Sequence, residues 1–324
     1  MNDTVTRVSD AAATALVPAP PGAAAVPGTG REAAYARRGR IGRRRLTLGN
    51  AAVYLLLISY LLIVTYPMFW LACTSLKPDA EVFQNPFSLP SPTNLRWDNF
   101  TNAWTKAHFG AYFLNSMLLT VSTVVVTVLL AAMVAFALTR FRSRGAKPLL
   151  LFFLGGLMMP LQLAIVPLFF QMKQWHLLNS LPGIFLAYVG FGLPFSIFIL
   201  AGFFRALPAS LHEAARIDGC SEWQAFWHIM LPTARPGLIT VAIFLFLGNW
   251  NEFFVAFMCL SGEGSESVRT LPLGLANITI VSQYRSDWGV AFAGLVLMML
   301  PTLIVYIALQ RHLIKGITAG ALKG

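Results

Sequence analysis

The chain has 324 residues, of which 56% are hydrophobic and only 11% are charged, and its formal net charge is +11. Soluble domains are about a quarter charged, so this composition excludes an ordinary soluble protein and indicates a membrane protein. A helix that crosses about 30 Å of hydrocarbon needs about 20 consecutive apolar residues. Six segments meet that requirement and predict an all-α, polytopic membrane fold: residues 51–72, 112–138, 149–170, 183–204, 236–260 and 289–310.

The residues before the first span differ in composition from the rest. Residues 1–49 open with a tract rich in Ala, Pro and Gly and end in a cluster of arginines. Such a segment cannot bury a core, so we expect a disordered basic tail followed by a transmembrane domain over residues 50–324. A cleaved signal peptide would have an apolar region of only about 7–15 residues, so we expect the first span to be retained.

Lysine and arginine are distributed unevenly among the segments between the spans. With a cytoplasmic N-terminus, the inner segments hold eight in the tail, four in 139–148, three in 205–235 and three after residue 310, against six in all outer segments. Basic residues concentrate in short cytoplasmic loops, so both termini are predicted to be cytoplasmic in a multi-pass membrane protein. The basic excess thus reflects topology and contact with membrane lipid; we expect no nucleic acid partner.

The outer segment 73–111 contains four prolines followed by aromatic residues, which predicts an extended loop and then a short interfacial helix. Several spans also contain proline, which removes a backbone donor and kinks a helix. Kinked spans suit a moving pathway, although proline is common in membrane helices in any case. Prolines within the third, fourth and sixth spans are Pro160, Pro167, Pro194 and Pro301.

The inner segment 205–235 carries local signals for two short helices. Gly219 stands where the first helix must end, and Pro232 follows the second. Two pairs have the spacing of a capping box: Ser210 with Glu213, and Ser221 with Gln224. An apolar face on the second helix would lie against the membrane surface, the spans or a partner protein. Its members recur at helical spacing: Trp223, Phe226, Trp227 and Met230.

This loop resembles the EAA signature of ABC importer permeases, in which Glu-Ala-Ala precedes a glycine and, further on, Ile-x-Leu-Pro. The residues that carry the resemblance are Glu213, Ala214, Ala215, Asp218, Gly219, Ile229, Leu231 and Pro232. Cys220 departs from the family, which usually has a small residue such as alanine there. Other stretches resemble the maltose-type G subunit of carbohydrate importers: residues 74–77 (Thr-Ser-Leu-Lys), 250–253 (Trp-Asn-Glu-Phe) and 315–324. The resemblance covers roughly residues 50–324.

The resemblance implies a MetI-like permease core of six transmembrane helices, with no catalytic residues, metal or cofactor of its own. The EAA helices would seat in a cleft of a separate ATPase dimer, with Glu213 pairing a basic residue there or merely capping its own helix. A second permease would complete the pathway, and an extracytoplasmic sugar-binding protein would deliver a sugar or oligosaccharide. The sequence contains no Gly-x-x-x-x-Gly-Lys-Ser/Thr phosphate loop, so ATP is expected to bind another polypeptide.

Glu252 is the one charged residue within the six predicted spans. An ionisable residue inside a membrane is costly and by default indicates a functional site. Together with Asn249 and Asn251 it predicts a substrate path, because the hydroxyls of an uncharged sugar need amide and carboxylate partners. In the alternative interpretation, Glu252 snorkels to the interface or holds neighbouring helices together.

Other function classes are less well supported by the sequence. His212 and Glu213 begin a His-Glu-x-x-His zinc motif, but Arg216 occupies the second histidine position, which argues against a membrane enzyme. The cysteines fall in separate segments and form neither a disulfide framework nor a zinc site: Cys73, Cys220 and Cys259. A channel or secondary transporter would not need the two-helix loop. Permeases for peptides, polyamines or metals share that loop and stay open as alternatives.

Overall fold

The computed structural model describes residues 48–141, 144–285 and 287–321, and the predicted tail over residues 1–49 lies outside them except for its last two residues. These described residues are largely helical and include no β-strand, which confirms the all-α prediction. The chain divides into two compact units, Met1–Leu62 and Ile63–Gly324. The described part of the first unit is the start of helix α1 (Leu48–Thr74), and all contacts below belong to the second unit.

Four helices are each long and apolar enough to cross a membrane. They are α1, α4 (Phe109–Arg140), α7 (Leu181–Ala206) and α13 (Trp288–Ala321). Two bent pairs of helices are long and apolar enough only when taken together: α5 (Ala146–Met158) with α6 (Leu161–Gln174) at 99°, and α9 (Glu222–Thr233) with α10 (Arg235–Trp250) at 74°. The described chain therefore has four candidate spans, or six if each bent pair counts as one.

Shorter helices connect these spans. They are α2 (Asp79–Gln84), α3 (Asp98–Thr105), α8 (Ala209–Ile217), α11 (Phe254–Cys259) and α12 (Leu271–Arg285). Helices α2 and α3 agree with the predicted loop and interfacial helix over residues 73–111. Helix α12 was not predicted from the sequence, because its segment was interpreted only as an outer connection.

The predicted third span, residues 149–170, is broken rather than merely kinked. Helix α5 ends at Met158, Met159 and Pro160 are both extended, and α6 begins at Leu161. The ring of a proline disfavours helical backbone in the preceding residue, which explains the break at Met159. Pro167, by contrast, lies inside α6 without ending it. The chain therefore changes direction at Pro160, whereas the helix continues through Pro167.

Helices α4 and α7 pack against each other along much of their length. The buried stripe of α4 consists of small residues at helical spacing, which allows two membrane helices to approach closely. Its members are Ser116, Thr120, Thr123, Thr127, Ala131 and Ala135. On α7, a Cβ atom added to Gly192 would lie 3.0 Å from Leu245 and 3.1 Å from Thr127, so α10 packs into the same crossing. These three helices form the central framework.

Two apolar clusters occupy the two ends of this framework. The first cluster joins α4, α7 and α10 to the segment after Ser221, and its members include Phe136, Phe204, Phe226 and Met230. The second cluster joins α7, α11 and α12, and its members include Tyr188, Val255, Cys259 and Leu273. Each cluster surrounds one of the two places where the sequence predicted functional residues.

Lys77 holds the segment that follows α1. Its side chain is completely buried, and Nζ donates hydrogen bonds to the carbonyl oxygens of Asn85 (3.1 Å) and Pro86 (3.3 Å) and to Ser88 Oγ (3.3 Å). The ammonium also lies 4.9 Å from the centroid of the Trp70 ring, a cation–π distance. The lysine therefore folds residues 85–88 back onto the end of α1.

Candidate functional site

The two-helix loop, residues 208–233, has the predicted turn between its helices. Gly219 adopts a left-handed conformation with φ +82°. The turn is closed by hydrogen bonds from Gly219 N to Arg216 O (3.1 Å) and from Cys220 N to Ala215 O (3.0 Å). A residue with a Cβ atom adopts this conformation at a cost, which explains glycine at this position.

One of the two predicted capping boxes is confirmed and the other is wrong. Ser221 Oγ accepts from Gln224 N (3.3 Å), and Gln224 Oε1 accepts from Ser221 N (2.8 Å), so α9 has its complete box. Helix α8 instead begins at Ala209 after the extended Pro208, and its start has no side-chain cap. Ser210 consequently lies inside the first turn and cannot cap it.

The loop presents some of its signature residues to the surface and buries others. Glu213, Ala214, Asp218, Gly219 and Pro232 are exposed. Ala215 is buried, and Ile229 and Leu231 are half-buried against the first apolar cluster. The first set is therefore free to meet another molecule, whereas the second set attaches the loop to the spans.

The predicted apolar face of the second helix is divided in the same way. Phe226 and Met230 are buried in the first cluster, whereas Trp223 is 57% exposed. A π-helical turn covers Phe226–Met230, and the helix continues through Pro232 to Thr233. The prediction that Pro232 follows the end of this helix is thus wrong: proline is accepted at the start of the last turn, and the bend falls at Ala234.

The second candidate region is a break after helix α10. The predicted fifth span, residues 236–260, is helical only to Trp250, and α11 begins at Phe254. Glu252 caps the new helix, because Oε1 accepts from Val255 N (2.8 Å) and Oε2 accepts from Ala256 N (3.1 Å). The carboxylate therefore replaces the hydrogen-bond partners that the interrupted helix cannot supply.

Tyr188 on α7 is the partner of Glu252 that sequence reasoning missed. Its hydroxyl donates to Glu252 Oε2 at 2.7 Å, and its side chain is 3% exposed. The two residues are 64 positions apart, so no local sequence pattern predicts the pair. A tyrosine hydroxyl in a largely apolar span is the only signal that the sequence offers.

The two asparagines at the break have different environments. Asn251 is exposed, and its Nδ2 donates to Leu247 O at 2.8 Å, which satisfies a carbonyl near the end of α10. Asn249 is half-buried, and its Nδ2 is buried without a hydrogen-bond partner among the described residues. An unpaired buried amide is costly, so Asn249 has an unused donor at the break.

Helix α10 connects the two regions directly. The two-helix loop precedes it, the break follows it, and its 16 residues span about 24 Å at 1.5 Å per residue. The structure therefore does not bring the loop signature and the residues Asn249, Asn251 and Glu252 into one site. It places them at opposite ends of one rigid element, an arrangement suited to transmitting movement.

Comparison with known proteins identifies the family of this chain. The family described as "Binding-protein-dependent transport system inner membrane component" matches residues 127–319. The diacetylchitobiose uptake system permease protein NgcG of Streptomyces coelicolor is 43% identical over 84% of this chain and 89% of its own length. The trehalose transport system permease protein SugB of Mycobacterium tuberculosis is 33% identical over 88% of this chain and 100% of its own length.

A solved structure shares the fold. A bacterial ABC transporter chain, from a transporter involved in the import of the acidic polysaccharide alginate, superposes with a TM-score of 0.70. The match covers 82% of this chain and 96% of that chain at 23% sequence identity. At this identity, the likeness concerns the fold alone.

Proposed function

Since this chain belongs to the family of inner-membrane components of binding-protein-dependent transport systems, we propose that it is the permease subunit of an ATP-driven importer of an oligosaccharide. Relatives that align over most of both chains are named as permeases for diacetylchitobiose and for trehalose, which favours a sugar over a peptide or polyamine. ATP is hydrolysed by a separate subunit. A second permease and an extracytoplasmic sugar-binding protein complete the proposed transporter.

The two-helix loop is the proposed contact with the ATPase. The observation that carries this proposal is that one part of its signature is exposed while the other part anchors the loop in the first apolar cluster. A surface formed by Glu213, Ala214, Asp218 and Gly219 would enter a cleft of the ATPase. Ile229 and Leu231 would attach the loop to the spans. A displacement of the exposed surface by the ATPase would therefore be transmitted to α10.

The helix break is the proposed wall of the substrate path. Interrupted membrane helices supply polar backbone and side-chain groups at solute sites in transporters. In this proposal Asn249, Asn251 and Glu252 line the path. Glu252 shapes the break through its hydrogen bonds, and Asn249 contributes an unused amide donor for a sugar hydroxyl.

The orientation in the membrane follows from the distribution of positive charge. We propose that the chain lies in the bacterial cytoplasmic membrane with both termini and the two-helix loop in the cytoplasm, since inner segments hold three times as many basic residues as outer ones. Residues 1–49 are proposed to be a disordered basic tail, and residues 50–324 to be the permease domain.

Uptake by reconstituted complexes tests this function. Proteoliposomes would contain this chain with the ATPase, the second permease and the binding protein that its own organism encodes. Radiolabelled diacetylchitobiose and trehalose are offered together with a labelled peptide and a labelled polyamine. We expect ATP-dependent accumulation of a sugar, and none when the ATPase is omitted. Sugar accumulation by vesicles that contain this chain alone, or uptake of the peptide or polyamine instead, would refute the proposal.

A further inference from the structure

The carboxylate of Glu222 lies between the two helices of the loop. Glu222 is the first residue of α9, and its Oε2 lies 2.7 Å from Nε2 of His212 on α8. Its Oε1 lies 3.6 Å from Nε of Arg216, on the same helix as His212. Both contacts cross the turn at Gly219, so this one acid restrains the angle between α8 and α9.

His212 continues the connection into the membrane-spanning part. It is 8% exposed, and its ring meets the ring of Phe136 on α4 edge-on, with centroids 5.7 Å apart. Phe226 of α9 contacts the same Phe136 ring at 5.3 Å. Both helices of the loop therefore touch one aromatic side chain near the end of α4, and a displacement of either reaches α4 through it.

Arg140, one turn further along α4, ties this helix to α7. Its Nη2 donates to the carbonyl oxygens of Phe204 (2.6 Å) and Leu207 (3.0 Å) at the end of α7. The ends of α4 and α7 are thereby fastened together beside the loop. A loop that is firmly attached to Phe136 is consequently attached to both of these spans.

The two helices of the loop differ in how well they are anchored. Helix α9 and its π-helical turn bury Ala225, Phe226 and Met230. Helix α8, which carries Glu213, buries only His212 and Ala215 among its nine residues. The position of α8 thus depends on the His212–Glu222 contact to a degree that the position of α9 does not.

We propose that Glu222 is a positioning residue for energy coupling, whose bridge to His212 makes α8 move as one body with α9 and α4. The inference rests on the proposed function, because it concerns how a push from the ATPase on the exposed face of α8 reaches the spans. With the bridge, the push displaces α4 and α7. Without it, α8 swings about the turn at Gly219, and ATP is hydrolysed without full movement of the spans.

Stability and coupling are separable at this site. The Glu222 side chain is 40% exposed, and partly exposed ion pairs contribute little to folding. Loss of the bridge should therefore leave a folded, inserted and assembled permease. The expected defect is a change in the number of sugar molecules carried per ATP hydrolysed, which a residue with a purely structural role would leave unchanged.

The experiment compares Glu222→Ala, His212→Ala, the double variant and Glu222→Gln in the complete reconstituted complex. The matched control is Glu266→Ala, because Glu266 also forms a 3.6 Å ion pair, with Arg269, far from the loop. Sugar uptake and ATP hydrolysis are measured in the same vesicles, with whichever of diacetylchitobiose and trehalose the wild-type complex accumulates. Wild-type uptake in these vesicles establishes the proposed function independently of the variants.

We expect Glu222→Ala and His212→Ala each to lower the sugar-to-ATP ratio roughly fivefold, the effect of losing one partly exposed hydrogen bond. The double variant should be no worse than His212→Ala, since that variant already removes the contact with Glu222. Glu222→Gln should retain most coupling, because its amide still bonds the imidazole, and Glu266→Ala should behave as wild type. An unchanged ratio in either alanine variant, additive losses in the double variant, or a parallel fall of uptake and hydrolysis would overturn the proposal.

Discussion

Removing the carboxylate of Glu252 should open the helix break rather than merely remove a charge. In Glu252→Ala, the Tyr188 hydroxyl and the amides of Val255 and Ala256 all lose their acceptor. An interhelical hydrogen bond in a membrane protein contributes about 0.6–1.7 kcal/mol. Each buried donor left unsatisfied costs about 1–3 kcal/mol, and Val255 and Ala256 are at most 1% exposed. We therefore expect a loss of about 3 kcal/mol or more.

Two further variants separate the parts of this loss. Tyr188→Phe removes only the bond between helices and should cost about 0.6–1.7 kcal/mol. Glu252→Gln keeps one carbonyl oxygen that can accept from Val255 N, so its cost should lie between those of the other two variants. Thermal unfolding of the purified complex and uptake in vesicles should both rank the variants in this order: Tyr188→Phe mildest, then Glu252→Gln, then Glu252→Ala.

The comparison between stability and transport decides the role of the carboxylate. If Glu252 acts as a cap, uptake falls together with thermal stability across the three variants. If Glu252→Ala keeps the wild-type unfolding temperature and yet loses uptake, the carboxylate acts on the solute and the reasoning from its hydrogen bonds is refuted.

The remaining predictions concern the two-helix loop. A Cβ atom at Gly219 would meet nothing within 4 Å, so the cost of substitution comes from its φ of +82° alone. We expect Gly219→Ala to lose about 1–2 kcal/mol and Gly219→Asn less, because asparagine tolerates the left-handed conformation; equal uptake by the two at equal membrane content would contradict this. Cys220 is partly exposed, whereas Cys73 and Cys259 are buried. A membrane-impermeant maleimide should label Cys220 in inside-out vesicles only, and added ATPase should protect it; labelling of right-side-out vesicles would place the loop outside.

The sequence predicts the parts of this fold that depend on local chemistry. Apolar length identified the four long spans and the apolar segments that the structure breaks, and the glycine at the turn and the Ser221–Gln224 box identified the two-helix loop. These features depend on residues within a few positions of each other, where helix geometry and capping leave few alternatives. The same locality explains the error at Ser210: the helix begins at Ala209 after Pro208, two residues earlier than a Ser210 cap would place its start, and a spacing rule cannot weigh these two signals.

Contacts between distant segments could not be predicted in this way. Glu252 was identified as exceptional, but its capping role requires a break at Trp250 and a hydroxyl from α7, and neither follows from the sequence around it. His212 looked like the start of a zinc motif, whereas the structure pairs it with Glu222 and sets it against Phe136. The residue type shows that a buried polar group needs a hydrogen-bond partner. Which residue becomes that partner depends on how the helices pack.

The hydrogen bonds of Lys77 are shielded from the surrounding solution, because its side chain is completely buried. Its three acceptors are two carbonyl oxygens and a hydroxyl, so acidification removes none of them. Salt weakens attraction between exposed charges beyond about 8 Å at physiological ionic strength but acts much less on buried ones. The Glu222–His212 contact, by contrast, is partly open to water. Solvent and ions therefore reach the contact in the two-helix loop but not the hydrogen bonds of Lys77 beside α1.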